Sequence, residues 1–102
     1  MEGGRVKIAA SSFKRMFAMN HYTAILRLPK VLAISGCSRS YVYQLISEGL
    51  WPKSIRLGVR AVGWPESEVM AVCAARIAGK SDAEIRGLIE QLHVQRSATP
   101  SN

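Results

Sequence analysis

The chain has 102 residues but only two cysteines, Cys37 and Cys73, and neither has a second Cys or His beside it. No zinc site has that spacing. One disulfide between them stays open, but two free buried thiols in a reducing cytosol is the favoured reading. No run approaches the ~20 apolar residues of a membrane span. Lys14 and Arg15 interrupt what would be the apolar stretch of a signal peptide. There is no paired-carboxylate cluster in a Gly-rich setting, no phosphate-binding loop and no nucleophile motif. His21 and His93 fall at the edges of the pattern and read as surface residues. The expectation is a cytoplasmic protein that is not an enzyme and has no cofactor, metal or membrane contact.

Acid is scarce too, with 7 Asp and Glu against 14 Lys and Arg, a formal charge of +7. That balance favours a polyanionic partner, nucleic acid first and an anionic membrane second. The chain is long enough for one domain with a modest core, and 48% of it is hydrophobic, so it should fold. The charge is uneven. Residues 1–26 carry Arg5, Lys7, Lys14 and Arg15 against Glu2. Residues 27–64 carry Arg27, Lys30, Arg39, Lys53, Arg56 and Arg60 against Glu48 alone. Residues 65–102 carry Arg76, Lys80, Arg86 and Arg96 against Glu66, Glu68, Asp82, Glu84 and Glu90.

Residues 1–24 have weak periodicity and an early Gly3-Gly4 pair, so they read as a flexible basic arm. Met16 and Met19 are alternative starts, and the arm has either no reading role or adds phosphate contacts. Leu28, Val31 and Leu32 then repeat at i, i+3, i+4, with Pro29 suited to a first helical turn. Gly36 ends that helix. Ser38 is placed to cap the next, along which Val42, Leu45 and Ile46 form an apolar stripe as far as Glu48-Gly49. The period then changes to two: Ile55 and Leu57, a turn at Gly58-Val59-Arg60, and a return over 61–64 predict a β-hairpin. Pro65-Glu66-Ser67-Glu68 opens a third helix bearing Val69, Val72, Cys73, Arg76 and Ile77. After Gly79, Ser81 and Glu84 form a capping box before the stripe Ile85, Leu88, Ile89 and Leu92. The polar residues 97–102 read as a disordered tail.

Helix, tight turn, helix and basic hairpin are the parts of a winged helix-turn-helix, so the expected class is mainly α with a small β-hairpin wing and an added C-terminal amphipathic helix. With Val42, Leu45 and Ile46 facing the core, Ser40, Tyr43, Gln44 and Ser47 face away, and Ser38 and Arg39 sit at the N-terminal end. Arg can bond two acceptors on guanine and Gln can pair with adenine; Ser and Tyr reach phosphates or base edges. An exposed polar helix face alone is ordinary. The conjunction carries the reading: turn glycine, serine cap, a face with one acid nearby, and a basic hairpin directly after. Arg60 at the turn tip is assigned to phosphate or minor groove, with Arg56 before it. The alternative is that both are solvated edge charges that discourage strand aggregation. Lys53 and Lys30 reach phosphate at most, and Trp51 and Trp64 pack the wing on the helices.

The blocks Ile25-Leu26-Arg27-Leu28-Pro29-Lys30-Val31-Leu32, Gly36-Cys37-Ser38-Arg39-Ser40-Tyr41-Val42-Tyr43-Gln44-Leu45-Ile46, Gly49-Leu50-Trp51-Pro52-Lys53, Ile55-Arg56-Leu57-Gly58 and Arg60-Ala61-Val62-Gly63-Trp64 resemble the AlpA family of prophage regulators. The resemblance spans about residues 25–78. It implies a winged helix related to MerR-type and excisionase DNA-binding domains, and phage or genomic-island biology: activating an integrase gene, or acting with an integrase as a directionality factor. Cys37 departs from the small aliphatic residue usual there. Residues 79–96 extend past the family domain, and their apolar stripe must fold back on the chain or pair with a second copy.

The leading expectation is a sequence-specific regulator that binds double-stranded DNA on the bacterial nucleoid, with integrase or RNA polymerase as further partners and a homodimer left open. The alternatives are an excisionase-like protein that bends attachment-site DNA and a protein-interaction adaptor on the same fold.

Overall fold

A computed structural model describes residues 24–98. Its elements run β1 (Ile25–Leu26), α1 (Leu28–Ser35), α2 (Arg39–Ser47), β2 (Ile55–Arg56), β3 (Val62–Pro65), α3 (Glu66–Ile77) and α4 (Asp82–Ala98). This is a mainly helical, winged helix-like fold with a small antiparallel sheet in the order β1-β3-β2.

The helix-turn-helix rests on local chemistry. Pro29 lies in the first turn of α1, where a missing N–H costs nothing. Gly36 ends α1 at φ 73°, a left-handed conformation that glycine adopts without strain, and its N–H donates to the Leu32 carbonyl at 2.9 Å. Two residues later the Ser38 hydroxyl accepts the Tyr41 N–H at 3.2 Å and starts α2. Val42 and Leu45 turn inward and are buried, with Ile46 half-buried beside them.

The wing is the predicted hairpin, with Ile55 opposite Gly63 and Arg56 opposite Val62. Leu57 lies just past β2 and is half-exposed; its N–H, like that of Gly58, bonds the Ala61 carbonyl to close the turn. A third strand lies on the other side of β3, where Ile25 pairs with Pro65 and Leu26 with Trp64. Gly63 makes this approach possible: a Cβ there would sit 2.5 Å from Ile25 Cγ2. The Glu66 N–H donates to the Ala24 carbonyl at 2.7 Å, so Ala24, expected in the arm, belongs to the sheet edge. The rest of the predicted arm, including His21, lies outside the described residues.

The core joins α1, α2, the wing base, α3 and α4 through Val31, Val42, Leu45, Trp51, Trp64, Val69, Val72, Ile85 and Ile89. Trp64 is fully buried and its indole N–H donates to the Pro52 carbonyl at 2.8 Å. Burying such a side chain stabilises the fold by several kcal/mol, on the order of its ~25 cal/mol per Å² of apolar area. The apolar stripe of α4 faces this core, so that helix folds back on its own chain. Its capping box is formed in both directions: Ser81 N–H to Glu84 Oε1 at 2.9 Å, and Glu84 N–H to Ser81 Oγ at 3.2 Å.

Some expectations need correction. Ile77 keeps helical spacing with Val69 and Val72 but is the last residue of α3 and is 87% exposed, because the chain turns away at Gly79 before anything covers it. Ser97 belongs to α4, which continues to Ala98, not to a tail that starts there. His93 is half-buried, and its Nε2 accepts the Lys53 N–H at 3.1 Å. Cys37 and Cys73 are free thiols but only half-buried. Burial, followed by the proximity of Cys37, pushes the Cys73 thiol up from its ordinary value.

Candidate nucleic-acid interface

Helix α2 presents two unlike faces. Val42 and Leu45 hold one against the core; Arg39, Ser40, Tyr43, Gln44 and Ser47 are exposed on the rest. Arg39 is the first residue of the helix, where free backbone N–H groups add partial positive charge. Its guanidinium has no hydrogen bond or ion pair among the described residues. Ser40 is likewise exposed and unpaired there.

The other candidates are partly committed. Ser38 Oγ is taken by the cap. Gln44 Nε2 donates to Glu48 Oε2 at 3.2 Å, so the acid within this basic stretch steadies the amide a base edge would meet. Ser47 Oγ donates to the Gln44 carbonyl at 2.7 Å and keeps only acceptor capacity. The Tyr43 ring meets Trp64 edge-on, with centroids 6.5 Å apart, which ties the outer face of α2 to β3 while leaving the ring 42% exposed. Tyr41, half-exposed on the flank of α2, adjoins this surface, although it falls outside the face predicted from the spacing of Val42, Leu45 and Ile46. An exposed aromatic beside Arg39 and Ser40 was the available signal.

On the wing, Arg56 and Arg60 are exposed and unpaired among the described residues, and Val59 between them at the tip is 89% exposed. Arg56, Leu57, Gly58 and Val59 line a shallow open depression. Lys53, at the root of the wing, points its side chain outward while its backbone is held on both sides. Arg27 takes a structural task instead: its Nε donates to the Val62 carbonyl at 3.1 Å and fastens the start of α1 to β3. Lys30 is exposed on α1. Among the described residues no group of acidic, His or Cys side chains could hold a metal ion, and no helix is long and apolar enough to cross a membrane.

The family model described as prophage CP4-57 regulatory protein (AlpA) matches residues 24–77, from β1 to the end of α3. The chain belongs to this family. Among its relatives, the uncharacterized protein ORF88 of Enterobacteria phage P4 is 47% identical over 55 residues, which cover 54% of this chain and 62% of that protein. The chain thus spans somewhat less than two thirds of the phage protein's length. The DNA-binding transcriptional activator AlpA of Escherichia coli (strain K12) is 37% identical over 59 residues, covering 50% of this chain and 84% of the activator. No solved structure matches. The family match includes every candidate contact residue and leaves out α4.

Proposed function

We propose that this protein is a sequence-specific double-stranded DNA-binding regulator of prophage or genomic-island genes, an integrase gene being the type of target. It acts in the bacterial cytoplasm on the nucleoid, with RNA polymerase or an integrase as a further partner. Helix α2 enters the major groove by its N-terminal end. Arg39 and Gln44 read base edges, Ser40 and Ser47 meet base edges or phosphate, and Tyr41 and Tyr43 flank them. The wing lies on the adjacent backbone or minor groove through Arg56 and Arg60, and Lys53 meets phosphate. Ser38 contributes by capping α2.

The observation that carries this reading is a set of unpaired cations: Arg39, Arg56 and Arg60 are exposed with no partner among the described residues, on two elements that follow each other in the chain. The name of the Escherichia coli relative supports the same class. The reaction asked of the protein is recognition alone, and no enzyme chemistry is invoked.

The test is selection of purified protein on a random duplex library at near-physiological salt, where nonspecific binding is weak, with Arg39→Ala alongside. An enriched motif that Arg39→Ala blurs is the expected result. A promoter-proximal site marks a regulator, and adjacent direct repeats near an attachment site mark an excisionase-like role. Folded protein that enriches no motif overturns the reading in favour of a protein-binding adaptor.

A further inference from the structure

Helix α4 lies outside the family match, yet its polar side chains reach back to both ends of the connector between α2 and the wing. At the first end, Arg86 Nε donates to the Glu48 carbonyl at 2.9 Å, one residue past α2. At the other end the backbone of Lys53 is gripped on both sides: His93 Nε2 accepts its N–H at 3.1 Å, and Arg96 Nη2 donates to its carbonyl at 2.7 Å. Arg96 is itself anchored, with its Nε 2.8 Å from Oε2 of Glu68 and a second bond to the other carboxylate oxygen. Glu68, on α3, is 5% exposed. Arg86 and Arg96 sit about 15 Å apart along one rigid helix, at ~1.5 Å per residue. The end of α2 and the root of the wing are therefore fastened to one ruler.

We propose that α4 is a brace that sets where the wing stands relative to α2, and that His93 and Arg96 are positioning residues for DNA binding that act through the Lys53 backbone. The proposal rests on the DNA-binding reading for its functional half; its structural half stands alone. A reader with two DNA-contacting elements needs them at a fixed separation to meet a groove and its flanking backbone together. Loop residues 48–54 include no strand or helix that would supply this.

The brace also has a chemical signature. His93 must keep a lone pair on Nε2 to accept the Lys53 N–H, so the ring is neutral with its proton on Nδ1. The charged groups around it are Arg96 on α4, Glu68 on α3 and Lys53 in the connector. Burial foremost, then Arg96, holds the imidazole below its ordinary value, against the opposing pull of Glu68. Protonation turns the acceptor into a donor and expels the Lys53 N–H.

The experiment follows the Lys53 amide by NMR and amide exchange across residues 53–64, from pH 7.5 to 5, beside binding to the selected duplex. The variants are His93→Gln, whose amide oxygen accepts without titrating; His93→Leu, which removes the acceptor; and Glu68→Leu/Arg96→Met, which replaces the buried pair with apolar side chains of similar size and should keep the fold. In the wild type the Lys53 amide is protected and its shift titrates below pH 6.5, with duplex binding weakening over the same range. His93→Gln keeps protection and binding but loses both pH dependences. His93→Leu and the double variant, melting as folded proteins, exchange the wing amides at least tenfold faster and bind the duplex about tenfold more weakly. An unprotected, non-titrating Lys53 amide overturns the brace. So does wild-type wing exchange together with wild-type affinity in His93→Leu. If the wild type selects no duplex, the regulator reading fails, and the brace is judged on Lys53 and wing exchange alone.

Discussion

Six arginines among the described residues divide into two sets, with Arg76 apart from both in a 3.8 Å ion pair with Asp82. Arg27, Arg86 and Arg96 each donate to a backbone carbonyl far away in sequence: Val62, Glu48 and Lys53 respectively. Arg39, Arg56 and Arg60 donate to nothing among the described residues, and all three lie on α2 or the wing. Composition cannot separate them, because a guanidinium is permanently charged in either setting. The difference lies in what the fold offers. The first set meets carbonyls just past α2 at Glu48, at the start of β3 at Val62 and in the connector at Lys53, each of which needs a donor. The second set projects from the start of α2, from β2 and from the hairpin turn, and all three are exposed. A basic protein's excess charge is therefore only partly disposable for a ligand, and the unpaired set marks where it is.

The two sets part on stability, which loss of a held arginine lowers and loss of a free one does not, although Arg96 also acts on binding through the Lys53 backbone. Arg96→Ala has the largest effect on stability. It leaves the Glu68 carboxylate buried and unpaired and should cost about 3 kcal/mol, the lower end of the range for such pairs because Arg96 is itself part-exposed. Thermal or urea unfolding reads this directly, and an unchanged melting point would dissolve the distinction. Arg39→Ala should leave the unfolding free energy within about 0.5 kcal/mol of wild type while lowering affinity for the selected site by about 1–3 kcal/mol and relaxing preference at one base pair. Arg60→Ala should weaken binding more evenly across sequences and reduce the salt slope by about one. Competition between selected and scrambled duplexes over a salt series separates Arg39 from Arg60.

Much of the framework was legible because its signals are local. Gly36, the Ser38 cap and the stripe of Val42, Leu45 and Ile46 lie within a dozen residues and fix the helix-turn-helix; the capping box at Ser81 fixes the start of α4 as directly. The exposure of Ser40, Gln44 and Ser47 followed from helical geometry. Other features had no local signal. Ile25-Leu26 is too short for a period-two pattern, so β1 emerges only from pairing with β3, and the need for Gly63 emerges with it. The Tyr43 ring meets Trp64 edge-on, 21 positions along the chain by subtraction of their numbers. His93 looked like a surface residue because its partner, the Lys53 amide, is brought to it by tertiary packing. Ile77 shows the converse failure: correct spacing with no neighbour to pack on. The Gln44–Glu48 bond, by contrast, is an i, i+4 pair open to reading from sequence.

The smallest effect sharpens the comparison by separating the presence of α4 from its grip. Ser81→Ala removes the hydroxyl that accepts the Glu84 N–H and should cost about 1 kcal/mol, a usual loss for a helix cap. Arg86, His93 and Arg96 lie further along the helix, so binding to the selected duplex should stay at wild-type affinity although the protein melts earlier. The same cap has a pH dependence of known sign. The Ser81 N–H, then its hydroxyl, holds the Glu84 carboxyl below the ordinary glutamate value of about 4.3. A group whose folded value is depressed stabilises the fold above its unfolded value and loses that contribution as pH falls through the lower folded one. Glu84→Gln should therefore flatten the acid limb of the melting curve below about pH 4.3 and leave the neutral region little changed, because a glutamine oxygen still accepts the Ser81 N–H. A Ser81→Ala protein that lost duplex binding in proportion to Arg39→Ala would mean that the grip of α4 on the connector depends on its first turn.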